Sequence, residues 1–146
     1  MKHLVFGSAA LNSSAADAGR ALLRIGAGLA LALAHGLGKV PPSERFIQGA
    51  GEMGFPFPTF FAWMSGFAEF GCGLLLAIGL ATRPAALFIS LNMLTVVFIA
   101  HAGDPFGNRE RGVLFLCIAL FFLLAGAGRY SFDHYISSRP TLSTNV

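Results

Sequence analysis

Apolar residues fill four long windows of the chain, and short segments containing polar residues, Pro or Gly separate them. A helix needs about 20 apolar residues to cross a hydrocarbon core. The windows predict four helices, over about 19–39, 58–81, 84–102 and 110–128. Strand-like alternation is lacking, which disfavours a β-barrel. No window has a continuous solvated face, which disfavours a soluble helix bundle. The pattern therefore predicts an all-α fold, a transmembrane four-helix bundle over residues 19–133 between tails at 1–18 and 134–146.

The connection over 38–57 is longer than the others and carries an amphipathic pattern of its own. Ser43 is a candidate N-cap because its hydroxyl can accept from a free amide of the following turn. Apolar residues then recur at helical spacing: Phe46, Ile47, Ala50 and Met53. The pattern predicts a short interfacial helix in this first loop. An ordinary surface loop is the alternative.

Composition supports a membrane protein and argues against a nucleic-acid partner. Of the 146 residues, 55% are apolar and only 12% are charged, whereas about 25% charged is usual in soluble domains. The net charge of +3 comes from scattered residues, so no basic footprint for nucleic acid is present. We expect the lipid bilayer as the main partner. Counting Lys and Arg on the two sides of four crossings favours cytoplasmic termini.

Ionisable residues of the first helix share one face. Counted at 100° per residue, a single arc of about 100° holds Arg20, Arg24, Gly28, Leu31, His35 and Lys39. We expect this arc to face protein or water. Arg20 and Lys39 lie near the helix ends, where a long side chain can also reach the membrane surface.

Glu69 lies about 16 Å into the second helix, near the middle of the membrane. An ionised side chain at that depth costs about 2.5 to 3.5 kcal/mol, so we expect Glu69 to point into the bundle and to be neutral, paired or hydrated. Asn92 lies at comparable depth on the third helix and is the expected hydrogen-bond partner. The alternative to a functional carboxylate is a protonated hydrogen bond that only joins two helices.

Further polar residues gather toward the outer side of the predicted bundle. Glu110 opens the fourth helix, and His101 lies near the outer end of the third, about 180° from Asn92. The two residues of the third helix are therefore expected on different surfaces unless the helix ends before His101. The face of Glu110 is shared by Leu114, Cys117 and Phe121. Together with His35, these depths predict an outward-opening polar pocket capped by 38–57.

Three stretches resemble a known family when they are taken in order. They are HGLGK from His35, EFGCGLLLAIGLATRPAA from Glu69 and RERGVLFLCIALFFLLAGAGRYSFD from Arg109. Together they resemble the DoxX family of small four-helix membrane proteins. The resemblance implies a bacterial-type inner-membrane protein related to the DoxD-like subunit of thiosulfate:quinone oxidoreductase and to membrane partners of sulfur and oxidative-stress enzymes.

The resemblance also implies roles for single residues of this chain. Glu69 is the glutamate that opens the second-helix motif, Glu110 is the acidic residue that opens the fourth helix, and Lys39 is the basic residue that ends the first. The chain departs from the common pattern at Cys72, where glycine is usual, and in the more basic run 109–111.

The leading hypothesis is a membrane subunit of a redox assembly linked to a quinone or a sulfur compound. We predict catalytic, proton-handling roles for Glu69, Glu110 and His35. We predict ligand-binding roles for Arg24, Lys39, Asn92 and His101. The sequence contains no metal-ligand spacing and no haem, flavin or iron–sulfur motif, so electrons would come from an oxidoreductase partner or a diffusible carrier.

Two other functions remain open at this point. A noncatalytic scaffold would recruit a soluble oxidoreductase, and Glu69 and Asn92 would then serve packing alone. A small-solute or proton permease would need more enclosed volume than four helices give, unless the chain forms a homo-oligomer. The small-residue row Gly28, Ala32 and Gly36 could pack within the bundle or against a second copy.

Overall fold

The computed structural model describes residues 13–138, which form six helices and no strand. The helices are α1 (Ser14–Lys39), α2 (Glu44–Glu52), α3 (Pro58–Ile78), α4 (Thr82–Ala100), α5 (Phe106–Ala125) and α6 (Phe132–Ser137). The residues outside this range include most of the predicted N-terminal tail and the end of the predicted C-terminal tail.

Three of these helices, α1, α3 and α4, are long and apolar enough to cross a membrane. The 20-residue α5 packs along α4 and completes the bundle. Its first turns carry three charges, at 109–111, so its apolar part over 112–125 is only about 21 Å long. Large apolar side chains such as Leu22, Leu33 and Leu124 point away from the bundle. The prediction of an all-α membrane bundle is confirmed.

The core lies in the half of the bundle that contains the turn between α3 and α4. There α1 packs on α3, α3 on α4 and α4 on α5. The buried core side chains are Leu31, Cys72, Leu76, Ala85, Ala86, Ile89, Met93, Ala119 and Phe122. In the other half the helices leave a cavity between them, and α2 packs across this end against α3.

Glycine lets α1 and α3 cross with their backbones in contact. A Cβ atom on Gly28 would lie 2.6 Å from the carbonyl oxygen of Gly73, and Gly36 lies directly against the backbone of Phe70. Ala32 is completely buried between them. The small-residue row of α1 is therefore used within the bundle, and contact with a second copy is not open to it.

Helix ends differ from the predicted bounds where capping groups decide them. Ser13 accepts a hydrogen bond from the amide of Ala16 at 3.1 Å, and α1 begins at Ser14 instead of at residue 19. At the other end of the chain, α5 stops at Ala125, because Gly126 has a φ of 73° that ends a right-handed helix. The predicted helix in the first loop is present as α2, and Ser43 caps it through the amide of Phe46.

The C-terminal segment closes the core end of the bundle. Asp133 in α6 accepts hydrogen bonds from the amides of Ala81 and Thr82 at 2.7 and 2.9 Å and so caps α4. Its own amide donates to the carbonyl of Gly79. Burial by itself raises the pKa of Asp133, but these hydrogen bonds and the nearby Arg24 outweigh it and hold the pKa below its ordinary value.

Candidate functional site

A cavity of about 610 Å³ lies in the half of the bundle opposite the α3–α4 turn. All four long helices and α2 contribute to its wall. Most of that wall is apolar, and its aromatic part consists of Phe46, Phe55, Phe60, Phe61, Phe88 and Phe115. Polar side chains interrupt the wall where α1, α3 and α4 meet, and again around the loop between α4 and α5, where His101, Asn108 and Arg111 line it.

Glu69 lies at this meeting point and is 2% exposed. Its Oε1 accepts one hydrogen bond from Lys39 Nζ at 2.6 Å and a second from Asn92 Nδ2 at 2.9 Å. Its Oε2 is buried and has no hydrogen-bond partner among residues 13–138. The predictions that Glu69 points into the bundle and that Asn92 is its partner are confirmed. A buried acceptor without a donor is costly, so the two hydrogen bonds at Oε1 are the contacts that stabilise this carboxylate.

Lys39 supplies the positive charge that the sequence analysis did not pair with Glu69. Its side chain is 26% exposed, and its Nζ lies 5.2 Å from the ring centre of Phe46. The place where α1 ends explains this ion pair. A Cβ on Gly66 would lie 2.7 Å from the carbonyl oxygen of Lys39, so α1 ends only one helical turn from Glu69 and not at the far membrane surface.

Three segments of π-helix adjoin the cavity: Ala30–Gly36 in α1, Phe67–Gly71 in α3 and Val96–Ala100 in α4. The first contains His35, the second contains Glu69 and the third directly precedes His101. Such segments interrupt the regular 100° rotation and are frequent at functional sites.

The end of α4 decides between the two predicted positions of His101. The helix ends at Ala100, and both His101 and Asn92 line the cavity, although a regular helix would hold them on opposite sides. His101 also pairs with Asp104 at 2.7 Å. This hydrogen bond is the largest cause of the lowered pKa of Asp104. His35 lines the cavity as well, and its ring meets Phe115 edge-on at 5.6 Å.

Glu110 lies outside the site, which corrects its predicted place at the outer mouth of the pocket. It is exposed and does not line the cavity, and its face neighbour Leu114 is 60% exposed. The opposite face of α5 turns inward because the small residues Gly112 and Ala119 allow α5 to pack closely against the bundle. Their spacing of seven residues is the sequence signal that could have identified the inner face.

Arg24 is buried, but at the closed end and not at the cavity. Its guanidinium packs against Gly79 and donates a 2.7 Å hydrogen bond to the carbonyl of Tyr130. The shared helix face with His35 and Lys39 is real, yet Arg24 is 11 residues from His35, about 16 Å along the helix. The predicted ligand-binding role of Arg24 in this cavity is therefore wrong. The contact joins α1 to the segment before α6.

Fold and site together define a small multi-helix membrane protein with an intramembrane cavity built around an ion pair. Residues 19–102 match the sequence profile of the DoxX family, and the chain belongs to this family. It is 32% identical over 124 residues to the uncharacterised membrane protein Rv3486 of Mycobacterium tuberculosis, an alignment that covers 75% of this chain and 76% of that protein.

A second relative is CatD of Bacillus subtilis, whose name proposes an oxidoreductase. It is 30% identical over 121 residues, which cover 82% of this chain and 88% of that protein. No solved structure matches the chain.

Proposed function

We propose that this protein is the membrane subunit of a redox assembly and that its cavity binds a quinone. The observation that carries the proposal is the aromatic cavity with the ion pair Lys39–Glu69 in its wall. Its volume of about 610 Å³ falls within the range of ligand pockets, about 300 to 1,000 Å³. The name of the relative CatD supports an oxidoreductase link.

The groups in the wall fit the two faces and the two oxygens of a quinone ring. Phe46 and Phe61 offer apolar surface to the ring faces. Lys39 Nζ and the His35 ring can donate hydrogen bonds to the carbonyl oxygens. Glu69 also lines the cavity, and its carboxylate can accept from the hydroxyl of the reduced form. When bound, the quinone supplies a two-electron, two-proton couple.

In this proposal, residues of this chain accept and donate the protons and hold the ligand in position. Glu69 takes a proton from the hydroxyl of the reduced quinone that donates a hydrogen bond to it. Lys39 and Asn92 hold the carboxylate in place through Oε1. His35, which also lines the cavity, serves the second oxygen through its ring N–H. The electrons pass to or from an oxidoreductase partner.

The proposal includes a location and an orientation. We propose the bacterial inner membrane, with both termini in the cytoplasm and the cavity end outward. The excess of Lys and Arg on the terminal side supports this orientation.

Quinone titration of the purified protein in nanodiscs tests the proposal. A benzoquinone without a tail should quench the fluorescence of Trp63, the single tryptophan, because its neighbours Ala62 and Met64 line the cavity. Glu69→Gln should weaken binding of the reduced form roughly ten- to a hundredfold, as expected for a hydrogen bond to a charged group. Glu52→Gln, an exposed carboxylate on α2, is the matched control and should bind like wild type.

Two outcomes would contradict the proposal. One is the lack of saturable quenching in wild type, and the other is equal affinity of wild type and Glu69→Gln for the reduced form. Either result would leave a packing role for Glu69 and would favour the scaffold.

A further inference from the structure

The cavity extends sideways to the lipid-facing surface of the bundle, between α3 and α4. The two helices pack together near their shared turn and have few contacts toward the cavity end. The rings of Phe67 and Phe88 meet edge-on across this seam at 5.8 Å. On the cavity side of that pair, wall residues of both helices are also exposed on the outside, with Phe60 58% and Leu91 54% exposed.

This opening faces acyl chains and not water. Leu91 is nine residues from Thr82 and nine from Ala100, so it lies about 13 to 14 Å from either end of α4, near the middle of a membrane about 30 Å thick. A residue at this depth that is exposed outside and also lines the cavity marks a lateral opening into the hydrocarbon. We call the gap bordered by Phe60, Met64, Phe88 and Leu91 the α3–α4 opening.

The polar part of the site lies directly behind the opening. Asn92 follows Leu91 and donates to Glu69, so the distance from the exposed face of α4 to the ion pair is one side chain. On the aqueous side, α2 covers part of the cavity with Phe46, Ala50 and Met53, and the exposed polar residues Asn108 and Arg111 of α5 also line it there. The cavity is therefore apolar where it opens toward lipid, and polar at the aqueous end.

We infer that the ligand is an amphiphile dissolved in the bilayer, whose hydrocarbon tail lies in the α3–α4 opening while its polar head contacts Glu69. The inference rests on the proposed function, and it specifies the ligand class as a quinone with a long polyprenyl tail. The wall supports this occupant because its apolar part continues from the head site to the exposed face of the bundle. A water-soluble ligand gains nothing from such a continuation.

The test compares one quinone headgroup with and without a polyprenyl tail, titrated into protein in nanodiscs. Leu91→Trp places a large side chain in the opening and should raise the Kd of the long-tailed quinone about tenfold or more, equivalent to about 1.4 kcal/mol. The Kd of the tailless quinone should stay within about twofold. Leu94→Trp is the matched control, because Leu94 is also exposed on α4 but does not line the cavity. It should leave both constants unchanged.

A second measurement locates the tail directly. A long-chain alkylbenzoquinone with a diazirine in the part of its tail next to the ring should form adducts with Met64 or Leu91 on illumination. Adducts confined to exposed residues of α5, such as Leu114, would overturn the inference.

The possible failures are distinguishable. If the tailless quinone binds and Leu91→Trp affects both quinones equally or neither, the inference fails and the proposed function stands. If neither quinone binds to wild type, the proposed function fails and the inference fails with it.

Discussion

At the scale of single residues, the ion pair between Lys39 and Glu69 makes a carboxylate tolerable inside the membrane. Glu69 is almost completely buried, whereas Lys39 is partly exposed. Removing one partner of a buried pair strands the other charge and costs about 3 to 5 kcal/mol. The exposure of Lys39 reduces that cost, so we expect Lys39→Met to destabilise the protein by about 3 kcal/mol at most. Thermal unfolding in detergent would measure this loss.

A double substitution separates the stranded charge from lost packing. Lys39→Met combined with Glu69→Gln removes both charges of the ion pair, so the Tm of the double variant should lie above that of Lys39→Met alone. If the two losses simply add, the pair is not coupled and the ion pair does not stabilise the fold.

Among the site residues, the sequence predicted those whose contacts follow from their depth in the membrane. Glu69 and Asn92 were placed by depth and periodicity, and the structure joins them. The contact of Lys39 with Glu69 was not predicted, because the sequence does not reveal that α1 ends beside Gly66. The inward face of α5 was not predicted either. That helix is apolar on nearly every side, so the sequence pattern led to Glu110 as a site residue.

At the scale of the helices, the crossing of α1 and α3 depends on the absence of a side chain at Gly28. A Cβ there would meet backbone atoms of Gly73 and Ala77 at 2.6 and 2.7 Å, and backbone cannot yield as a side chain can. Gly28→Ala should therefore destabilise the protein by about 1 to 3 kcal/mol. Thermal unfolding followed by circular dichroism would measure the change in Tm.

Gly26→Ala is the matched control on the same helix. No atom lies within 4 Å of a Cβ at Gly26, and alanine favours a helix over glycine by about 1 kcal/mol. This variant should unfold at the wild-type temperature or above it. Equal losses in the two variants would show that helix propensity, and not the close crossing, determines the result.

The number and type of the long helices were predictable because apolar windows of membrane length permit few other structures. The π-helical segments were not. They depend on how neighbouring helices pack, and each one changes the rotation of everything that follows. This explains why His101 and Asn92 share a cavity although a regular helix would separate them.

At the scale of the whole molecule, the two ends of the bundle differ in how tightly the helices pack. The end with the α3–α4 turn is packed and is tied by α6, whereas the other end contains the cavity and is covered by α2. A ligand that enters between α3 and α4 can displace the helices only at the cavity end, provided that the closed end holds. We therefore expect the contacts of Asp133 to keep α3 and α4 joined when the opening is occupied.

The lowered pKa of Asp133 makes that closed end sensitive to acid. Burial raises the pKa, and the amides of Ala81 and Thr82 and the charge of Arg24 lower it further than burial raises it. A carboxyl group with a depressed folded-state pKa stabilises the protein above its unfolded value, near 3.8, and loses this contribution as the pH falls through the folded value. The Tm of wild type should therefore decline as the pH is lowered below about 4.

Asp133→Asn should lower the Tm at pH 7, since an amide oxygen replaces only one of two acceptors and losing a helix cap costs about 0.5 to 2 kcal/mol. The difference in Tm between wild type and Asp133→Asn should shrink as the pH falls from 7 to 3. A constant difference across that range would show that the charge of Asp133 does not hold the closed end together.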